Sequence, residues 1–290
     1  MIECLFIFLL YADNRVLYFL TGSHGFIGSV VMKKLRARGA DVIAVDLKNG
    51  QDLSRKETFD ALKERIAKTE DDVTILHLAA LVDARESLEK PFNYFGNNLA
   101  GTWFVAQLGA LENVKRIVFT SSAAIYGEPE YIPVDVNHPV RPKSPYGLAK
   151  YYEEQLLSQF SEEYGYALTI LRLFNVYGEN QEKGLFGALR RAIETGKPFR
   201  IFGDGEQVRD YVYVGDVAET ILSVKGQGTF NVASGVGITV NQIVDWVKER
   251  YPLKVEHAPP IPGEIRESIG KPDIKLPEIT REKVWAVLEH

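Results

Sequence analysis

Val16-Leu17-Tyr18-Phe19-Leu20-Thr21-Gly22-Ser23-His24-Gly25-Phe26-Ile27-Gly28 is the stretch on which the reading of this chain turns. A short apolar run, the length of a buried strand, meets three glycines. A helical pattern follows over 27–38, then Gly39, a second apolar run over 41–45, and an acid at Asp46. Strand, glycine turn, helix, strand and carboxylate, in that order, are the parts that hold a dinucleotide. Gly22 lets the strand turn sharply, Gly25 lets backbone approach a pyrophosphate, and Gly28 lets the helix sit close on the sheet. Phe26 and Ile27 open the helix, whose amides and positive dipole end favour phosphate. Asp46, eighteen residues beyond Gly28, can accept hydrogen bonds from a ribose and would repel a 2′-phosphate, so NAD is expected rather than NADP. Three glycines alone would also fit an ordinary strand–helix turn; the flanking strand, helix and acid separate the two readings.

The alternation continues outward. Strand-like runs are expected at 16–20, 41–45, 73–78, 116–121 and 167–173, and helical patterns at 27–38, 56–68, 94–111 and 146–164. Short apolar strands separated by amphipathic helices imply an α/β fold, a doubly wound parallel sheet of the Rossmann type. After Asn175 glycines and prolines break the chain into shorter pieces. Residues 212–225 read as a strand–helix pair able to return to the main sheet, 239–250 as a helix, and 257–277 as loop. The expected organisation is an NAD-binding domain over 1–174 that also receives about 207–232. A smaller, discontinuous C-terminal substrate lobe is built from 175–206 and 233–290.

A chain of 290 residues is long enough for such a pair of units. Its net charge of −5, with no basic cluster, argues against nucleic acid as a partner. A single cysteine, Cys4, leaves no intramolecular disulfide framework and no cysteine metal cluster, and no metal site is expected. Both facts fit a cytoplasmic enzyme. The apolar stretch 4–11 is too short to span a bilayer and follows Glu3 rather than a basic residue. It reads as a packed or partly ordered extension before the first strand rather than as a signal core, with no membrane association. Leu288-Glu289-His290 reads equally as a native end or the start of a vector-derived tail.

The candidate chemistry lies in Ser122, Tyr146 and Lys150. Thr120-Ser121-Ser122 ends an expected strand, where its hydroxyls would face the crevice. Tyr146 and Lys150 follow Pro145 at four-residue spacing, on one helix face. Free tyrosine, with a pKa of about 10, is a poor base at neutral pH. A neighbouring ammonium and a positively charged nicotinamide would lower that value, and Ser122 could bridge substrate hydroxyl and phenol. Each piece alone fits an ordinary surface helix or strand end; their joint order behind a dinucleotide loop does not.

These pieces, with His77-Leu78-Ala79-Ala80, Asn97-Asn98, Leu171-Arg172-Leu173-Phe174-Asn175, Phe202-Gly203-Asp204-Gly205, Arg209-Asp210-Tyr211 and Pro262-Gly263-Glu264-Ile265-Arg266, resemble the extended short-chain dehydrogenase/reductase family in its nucleotide-sugar epimerase/dehydratase branch. The resemblance runs from Asn14 to about Asp273. It implies that Asp52 and Leu53 flank the adenine, that Leu78, Ala79, Ala80 and Thr120 line the cofactor channel, and that Asn98 approaches it from a helix. Lys150 would also hold the nicotinamide ribose. Asn175, Arg209 and Arg266 would hold a substrate diphosphate, for which planar guanidinium donors are suited, and Phe202 would lie beside the base. Without the family, both arginines would read as solvated surface charges.

In the family's 4,6-dehydratases an Asp-Glu pair follows the catalytic hydroxyl residue; here Ala123 and Ala124 stand there. The resemblance therefore implies a 4-epimerase of a nucleotide sugar, with UDP-glucose/UDP-galactose as the leading substrate. UDP-glucuronate or UDP-N-acetylhexosamine epimerases stay open, as do a net NAD-dependent dehydrogenase such as the threonine dehydrogenases and a non-catalytic NAD-binding module. The family also implies a homodimer through helices 94–111 and 151–164, where Leu99, Trp103, Leu156 and Phe160 could face a partner or the core.

Overall fold

The computed structural model describes residues 15–261 and 263–289. Cys4, the apolar stretch 4–11, Pro262 and His290 lie outside the described residues. Seven parallel strands form the main sheet: β1 (Val16–Thr21), β2 (Asp41–Val45), β3 (Asp72–His77), β4 (Val114–Ser122), β5 (Ala167–Leu173), β9 (Gly228–Ala233) and β13 (Ile274–Lys275). Their order is β13-β9-β5-β4-β3-β1-β2. The chain leaves β1 for β2 on one side and returns to β3 on the other. The crevice at the carboxyl ends of β1 and β3 is therefore the topological switch point, where such sheets bind ligands.

Both faces of this sheet are covered, which explains why its strands read as unbroken apolar runs. On one face lie α2 (Lys56–Ala67), α4 (Pro91–Leu108) and α5 (Pro145–Tyr164), whose Phe59, Leu62, Ile66, Val105 and Leu157 pack with Phe19, Ile75 and Phe119 of the strands. On the other lie α1 (Phe26–Ala37) and α7 (Val214–Ser223), with Val31, Leu35, Val217 and Ile221 against Leu20, Leu76 and Val118. A short α3 (Ala84–Glu89) contributes Ala84, Arg85 and Leu88 to the lining of the crevice.

The remaining elements gather around a second apolar cluster. They are β6 (Asn175–Tyr177), α6 (Gly184–Thr195), β7 (Phe199–Phe202), β8 (Val208–Tyr213), β10 (Gly237–Thr239), α8 (Val240–Lys248), β11 (Val255–Ala258), β12 (Glu267–Ser268) and α9 (Arg281–Leu288). Phe186, Leu189, Ile201, Tyr211, Ile243, Val247 and Val284 form its centre. α8 starts on a reciprocal cap, Thr239 with Gln242.

Two expectations are corrected here. The pair expected over 212–225 does not enter the main sheet as a unit: β8 pairs with β6, β10 and β12, while α7 alone packs beside α1. β9 and β13, not singled out from the sequence, extend the main sheet instead. The segment 257–277, expected as loop, carries β12 and β13; two-residue strands are too short for a pattern to reveal. Leu288 is buried in the last turn of α9.

Candidate active site

The glycine turn is set by contacts a side chain would not survive. Gly22 has φ +71°, and a Cβ on it would stand 2.8 Å from the Ala79 amide nitrogen. A Cβ on Gly28 would stand 1.9 Å from the Gly22 carbonyl oxygen. The turn is fastened by Gly22 N–H donating to Val45 O (2.8 Å) and Gly25 N–H donating to Gly22 O (3.0 Å). Thr21 ties β1 to the neighbouring loop: its hydroxyl oxygen accepts from the amides of Leu78 and Ala79, both at 3.1 Å. Helix α1 begins at this turn with no side-chain cap and no acid in its first turn. Its positive end therefore faces the crevice unneutralised, as a pyrophosphate needs. The residues present fit a dinucleotide.

An open cleft of about 610 Å³ runs from this turn. Gly22, Gly25, Phe26, Ile27 and Gly28 of the turn line it, as do Leu78, Ala80 and Thr120. Ser122, Tyr146 and Lys150 line the same cleft, together with Asn175 and Arg209. Phe202 and Arg266 line a smaller adjoining pocket that shares Ile261, Glu264 and Ile265 with the cleft.

Five other expected residues do not line the cleft. Asp46 lies at the end of β2, accepting from the amides of His24 (2.9 Å) and Lys48 (2.8 Å). Asp52 accepts from the Ser54 amide (2.9 Å) and hydroxyl (2.6 Å), and that hydroxyl bond leads in holding its carboxyl below the usual range. Leu53 is core. Ala79 packs against that core while its amide serves Thr21. Asn98 is buried, and its amide group both accepts from Leu81 N–H (2.8 Å) and donates to Leu81 O (3.1 Å). It shapes the loop after β3 rather than reaching into the cleft.

The candidate trio, Ser122, Tyr146 and Lys150, is assembled by the start of α5. Ser144 caps the helix by accepting from the Gly147 amide (3.1 Å), and Pro145 supplies its first turn. A Cβ on Gly147 would meet the Ala124 carbonyl at 2.6 Å, so the helix lies directly on the turn that ends β4. That approach brings Tyr146 to the same cleft wall as Ser122, whose hydroxyl draws the phenol's pKa back down. Ser122 also accepts from the Ala124 amide (3.2 Å), which fixes its position.

The electrostatics differ from the expectation at one point. Lys150 is buried, and its ammonium donates to Glu153 Oε2 at 3.0 Å and lies 4.4 Å from the Phe119 ring centre. Its charge is thus engaged by a carboxylate. The phenol of Tyr146 is pushed up to about 12, not lowered: burial raises it most, the Ser122 hydroxyl pulls it back, and Glu153 adds to the rise. Arg209 is largely buried, which lowers its pKa, with Glu264 Oε1 3.7 Å away. Arg266 is exposed and paired with Asp204 at 2.7 Å.

Three further residues enter the site. Arg85 lines the cleft with its guanidinium 4.5 Å from the Phe202 ring centre, and Lys143 lines the wall near Ser144. Nothing in the pattern of 84–89 separates Arg85 from a solvated helix charge. Glu153 lies three residues after Lys150, and that spacing was a usable signal for a same-face partner. The Asp in Arg209-Asp210-Tyr211 is structural: fully buried, it accepts from the amides of Ser234 (2.9 Å), Gly235 (2.9 Å) and Gly270 (3.2 Å) and from the Ser234 hydroxyl (2.7 Å). It locks β8, and hence Arg209, against the loops beside it. Arg172 is equally internal, paired with Glu154 at 2.8 Å.

The model of the NAD dependent epimerase/dehydratase family matches residues 18–233. A Methanocaldococcus jannaschii protein, named as a candidate UDP-glucose 4-epimerase, is 36% identical over 288 residues, covering 89% of this chain and 94% of the relative. The UDP-glucose 4-epimerase of Halalkalibacterium halodurans is 32% identical, covering 82% of each. Among solved structures, the Thermotoga maritima UDP-glucose 4-epimerase with UDP-glucose is 31% identical with a TM-score of 0.86, covering 94% of this chain and 97% of the other. The Thermus thermophilus UDP-glucose 4-epimerase in complex with NAD is also 31% identical, with a TM-score of 0.85 and coverage of 94% and 98%.

Proposed function

Because the chain belongs to the NAD dependent epimerase/dehydratase family, we infer that it is an NAD-dependent nucleotide-sugar 4-epimerase that interconverts UDP-glucose and UDP-galactose through a transient 4-keto sugar. The observation that carries the reading is that Tyr146, Ser122 and Lys150 line one cleft together with the glycine turn and Arg209.

NAD, when bound at the glycine turn, would supply hydride acceptance and donation for carbon 4 of the sugar and a positive charge that favours the phenolate. Gly22, Gly25, Phe26, Ile27 and Gly28 would hold its pyrophosphate, Asp46 a ribose, Asp52 and Leu53 the adenine, and Lys150 the other ribose. Leu78, Ala80 and Thr120 would wall its channel, with the Ala79 amide and Asn98 holding the Leu78–Leu81 loop in shape. Tyr146 takes the proton of the 4-hydroxyl and later returns it. Ser122 bridges sugar and phenol and keeps the proton path short. Arg209, Arg266 and Asn175 hold the diphosphate as a pivot while the sugar turns over, and Phe202 carries the base. Ala123 and Ala124 line the cleft where a dehydration would need an acid and a base, which favours simple epimerisation.

The unit around the main sheet, β9 and β13 included, would serve as the NAD-binding domain, with the elements gathered around the second apolar cluster as the nucleotide-sugar lobe. A homodimer through α4 and α5 fits the apolar stripe there: Trp103 is 44% exposed, Tyr152 46% and Tyr164 47%. Trp103 and Phe160 meet edge to face at 5.3 Å. Among the described residues no helix is long and apolar enough to cross a membrane, and a cytoplasmic location fits the single cysteine.

The test is incubation with a panel of UDP-sugars, reading product stereochemistry together with absorbance of reduced nicotinamide. Conversion of UDP-glucose to UDP-galactose without net reduction is expected, and Tyr146→Phe should abolish it. Stoichiometric accumulation of NADH would instead identify a dehydrogenase.

A further inference from the structure

A line of buried hydrogen bonds joins the cofactor turn to the catalytic lysine. Thr21 Oγ1 lies 2.8 Å from His77 Nδ1, His77 Nε2 lies 2.9 Å from Thr102 Oγ1, and Thr102 donates to Glu153 Oε2 at 3.2 Å. Lys150 donates to the same Glu153 oxygen at 3.0 Å. The directions follow from the chemistry. The Thr102 hydroxyl gives its proton to Glu153, so it accepts from Nε2–H. Nδ1 is then the acceptor, and Thr21 donates to it. The line therefore runs one way and ends on a carboxylate oxygen that takes two donors, which an ionised Glu153 does without competition from a proton of its own.

Glu153 is more than is needed to anchor a helix. It is fully buried, and its Oε1 has no hydrogen-bond partner among the described residues. A buried carboxylate satisfied on one side only is costly, and an apolar residue of similar size would pack there more cheaply. Its position gives it an effect that an apolar residue lacks. It engages the Lys150 ammonium, which lines the same cleft as Tyr146, and its own charge acts on the phenol.

We propose that Glu153 is a positioning residue that holds Lys150 and, through its charge, sets how acidic the Tyr146 phenol is, acting as a counterweight to the lysine. The proposal rests on Tyr146 being the acid–base group. The surrounding charges leave this pair in control. Glu154 of α5 is closed off by Arg172 of β5. His77 of β3 is held neutral, its pKa lowered to about 3 by burial and by Lys150. Glu86 of α3 is engaged by Lys90, Lys183 and Tyr94 of α4. β4 presents the Phe119 ring, and the Tyr126 phenol beyond it is bonded to Asn231 and Arg172. Across the cleft Arg209 stands beside Glu264, and Lys143 is paired with Glu128. Arg85 alone approaches from α3, stacked on Phe202.

The experiment compares Glu153→Gln, which keeps shape and removes charge, with Glu153→Asp, which keeps charge. Two readouts are taken. One is the pH profile of kcat/KM in the NAD-loaded enzyme. The other is the alkaline absorbance titration of the Tyr146 phenol, obtained by difference against the same chain carrying Tyr146→Phe, with and without added NAD. In the Gln variant both should move to lower pH by about one unit, a tenfold gain in rate on the acid limb, while the Asp variant stays at the wild-type position. Unmoved titration and limb in Glu153→Gln would overturn the proposal. If that variant does not fold, Thr102→Val weakens ionisation of the same carboxylate from outside the trio and should give a smaller shift of the same sign; no shift overturns the proposal equally. Full turnover by Tyr146→Phe would sink the functional reading and this one with it, whereas an inactive Tyr146→Phe with an unmoved Glu153→Gln sinks only the role of Glu153.

Discussion

Replacing Gly28 by alanine puts the dinucleotide turn to a quantitative test. The new Cβ would stand 1.9 Å from Gly22 O and 2.8 Å from Gly22 C, whereas ordinary contact begins at 3.4 Å. The helix start and the turn must therefore part by about 1.5 Å. Both partners are backbone, so no rotamer change relieves the contact. Retreat of the turn breaks the bonds of Gly22 N–H to Val45 O and Gly25 N–H to Gly22 O. Retreat of the helix is resisted by Val31, Met32 and Leu35 in the core and by the Lys34–Glu219 pair behind it. Overpacking of this kind costs about 1–3 kcal/mol. Taken from the NAD complex, that is a loss of roughly one to two powers of ten in affinity. The assay is calorimetric titration with NAD across a graded series: Gly28→Ala, Gly25→Ala (Cβ 3.1 Å from the same oxygen) and Gly96→Ala (nothing within 4 Å). Affinity should fall most in the first, less in the second and not in the third. Wild-type NAD affinity in Gly28→Ala would refute the argument that close helix–turn approach builds the site.

Other consequences can be checked as directly. Asp46→Asn removes the charge expected to repel a 2′-phosphate; the ratio of NAD to NADP affinity should fall several-fold, measured by competitive titration, and an unchanged ratio would remove Asp46 from cofactor choice. Asp210→Ala leaves the amides of Ser234, Gly235 and Gly270 without their acceptor and should cost about 3–5 kcal/mol, read as a drop in unfolding midpoint in urea. His77 titrates at about 3 when folded and at an ordinary 6.5 when unfolded. The unfolded chain therefore binds its proton first as pH falls, so this residue's contribution is intact above pH 6.5 and is lost progressively toward pH 3. His77→Gln should flatten the pH dependence of stability in that window by about one proton, and an unchanged slope would place the acid sensitivity elsewhere. Trp103→Glu should convert a dimer to monomers in sedimentation analysis; a wild-type profile would exclude the α4–α5 face.

Strands β1 to β5 of the main sheet were legible because they are buried on both faces and their helices on one, which leaves apolar runs and a helical period in the sequence; β9 and β13 were not. The switch-point loop was legible too, since Gly22 and Gly28 answer to backbone contacts that admit no other residue. The second unit was not. Its β12 is two residues long, and β8 lies among partners from three distant stretches, 175–177, 237–239 and 267–268. No local pattern encodes such pairings. At the site, chain order identified Ser122, Tyr146 and Lys150, but the state of the phenol depended on burial and on Glu153, both of which are set by tertiary packing. Asn98 and Asp210 show the converse. Each is a polar residue in a motif, and each is used up by backbone groups nearby.

The central claim is that hydride leaves carbon 4 of the sugar and comes back to it within one site, with Tyr146 handling only the proton. Supplying UDP-glucose deuterated at carbon 4 to the NAD-loaded enzyme in ordinary water, and reading the product by NMR, tests it most directly. UDP-galactose that retains deuterium at carbon 4 is the predicted result. Product that has exchanged that deuterium for solvent hydrogen, or label trapped in released reduced nicotinamide, would contradict it.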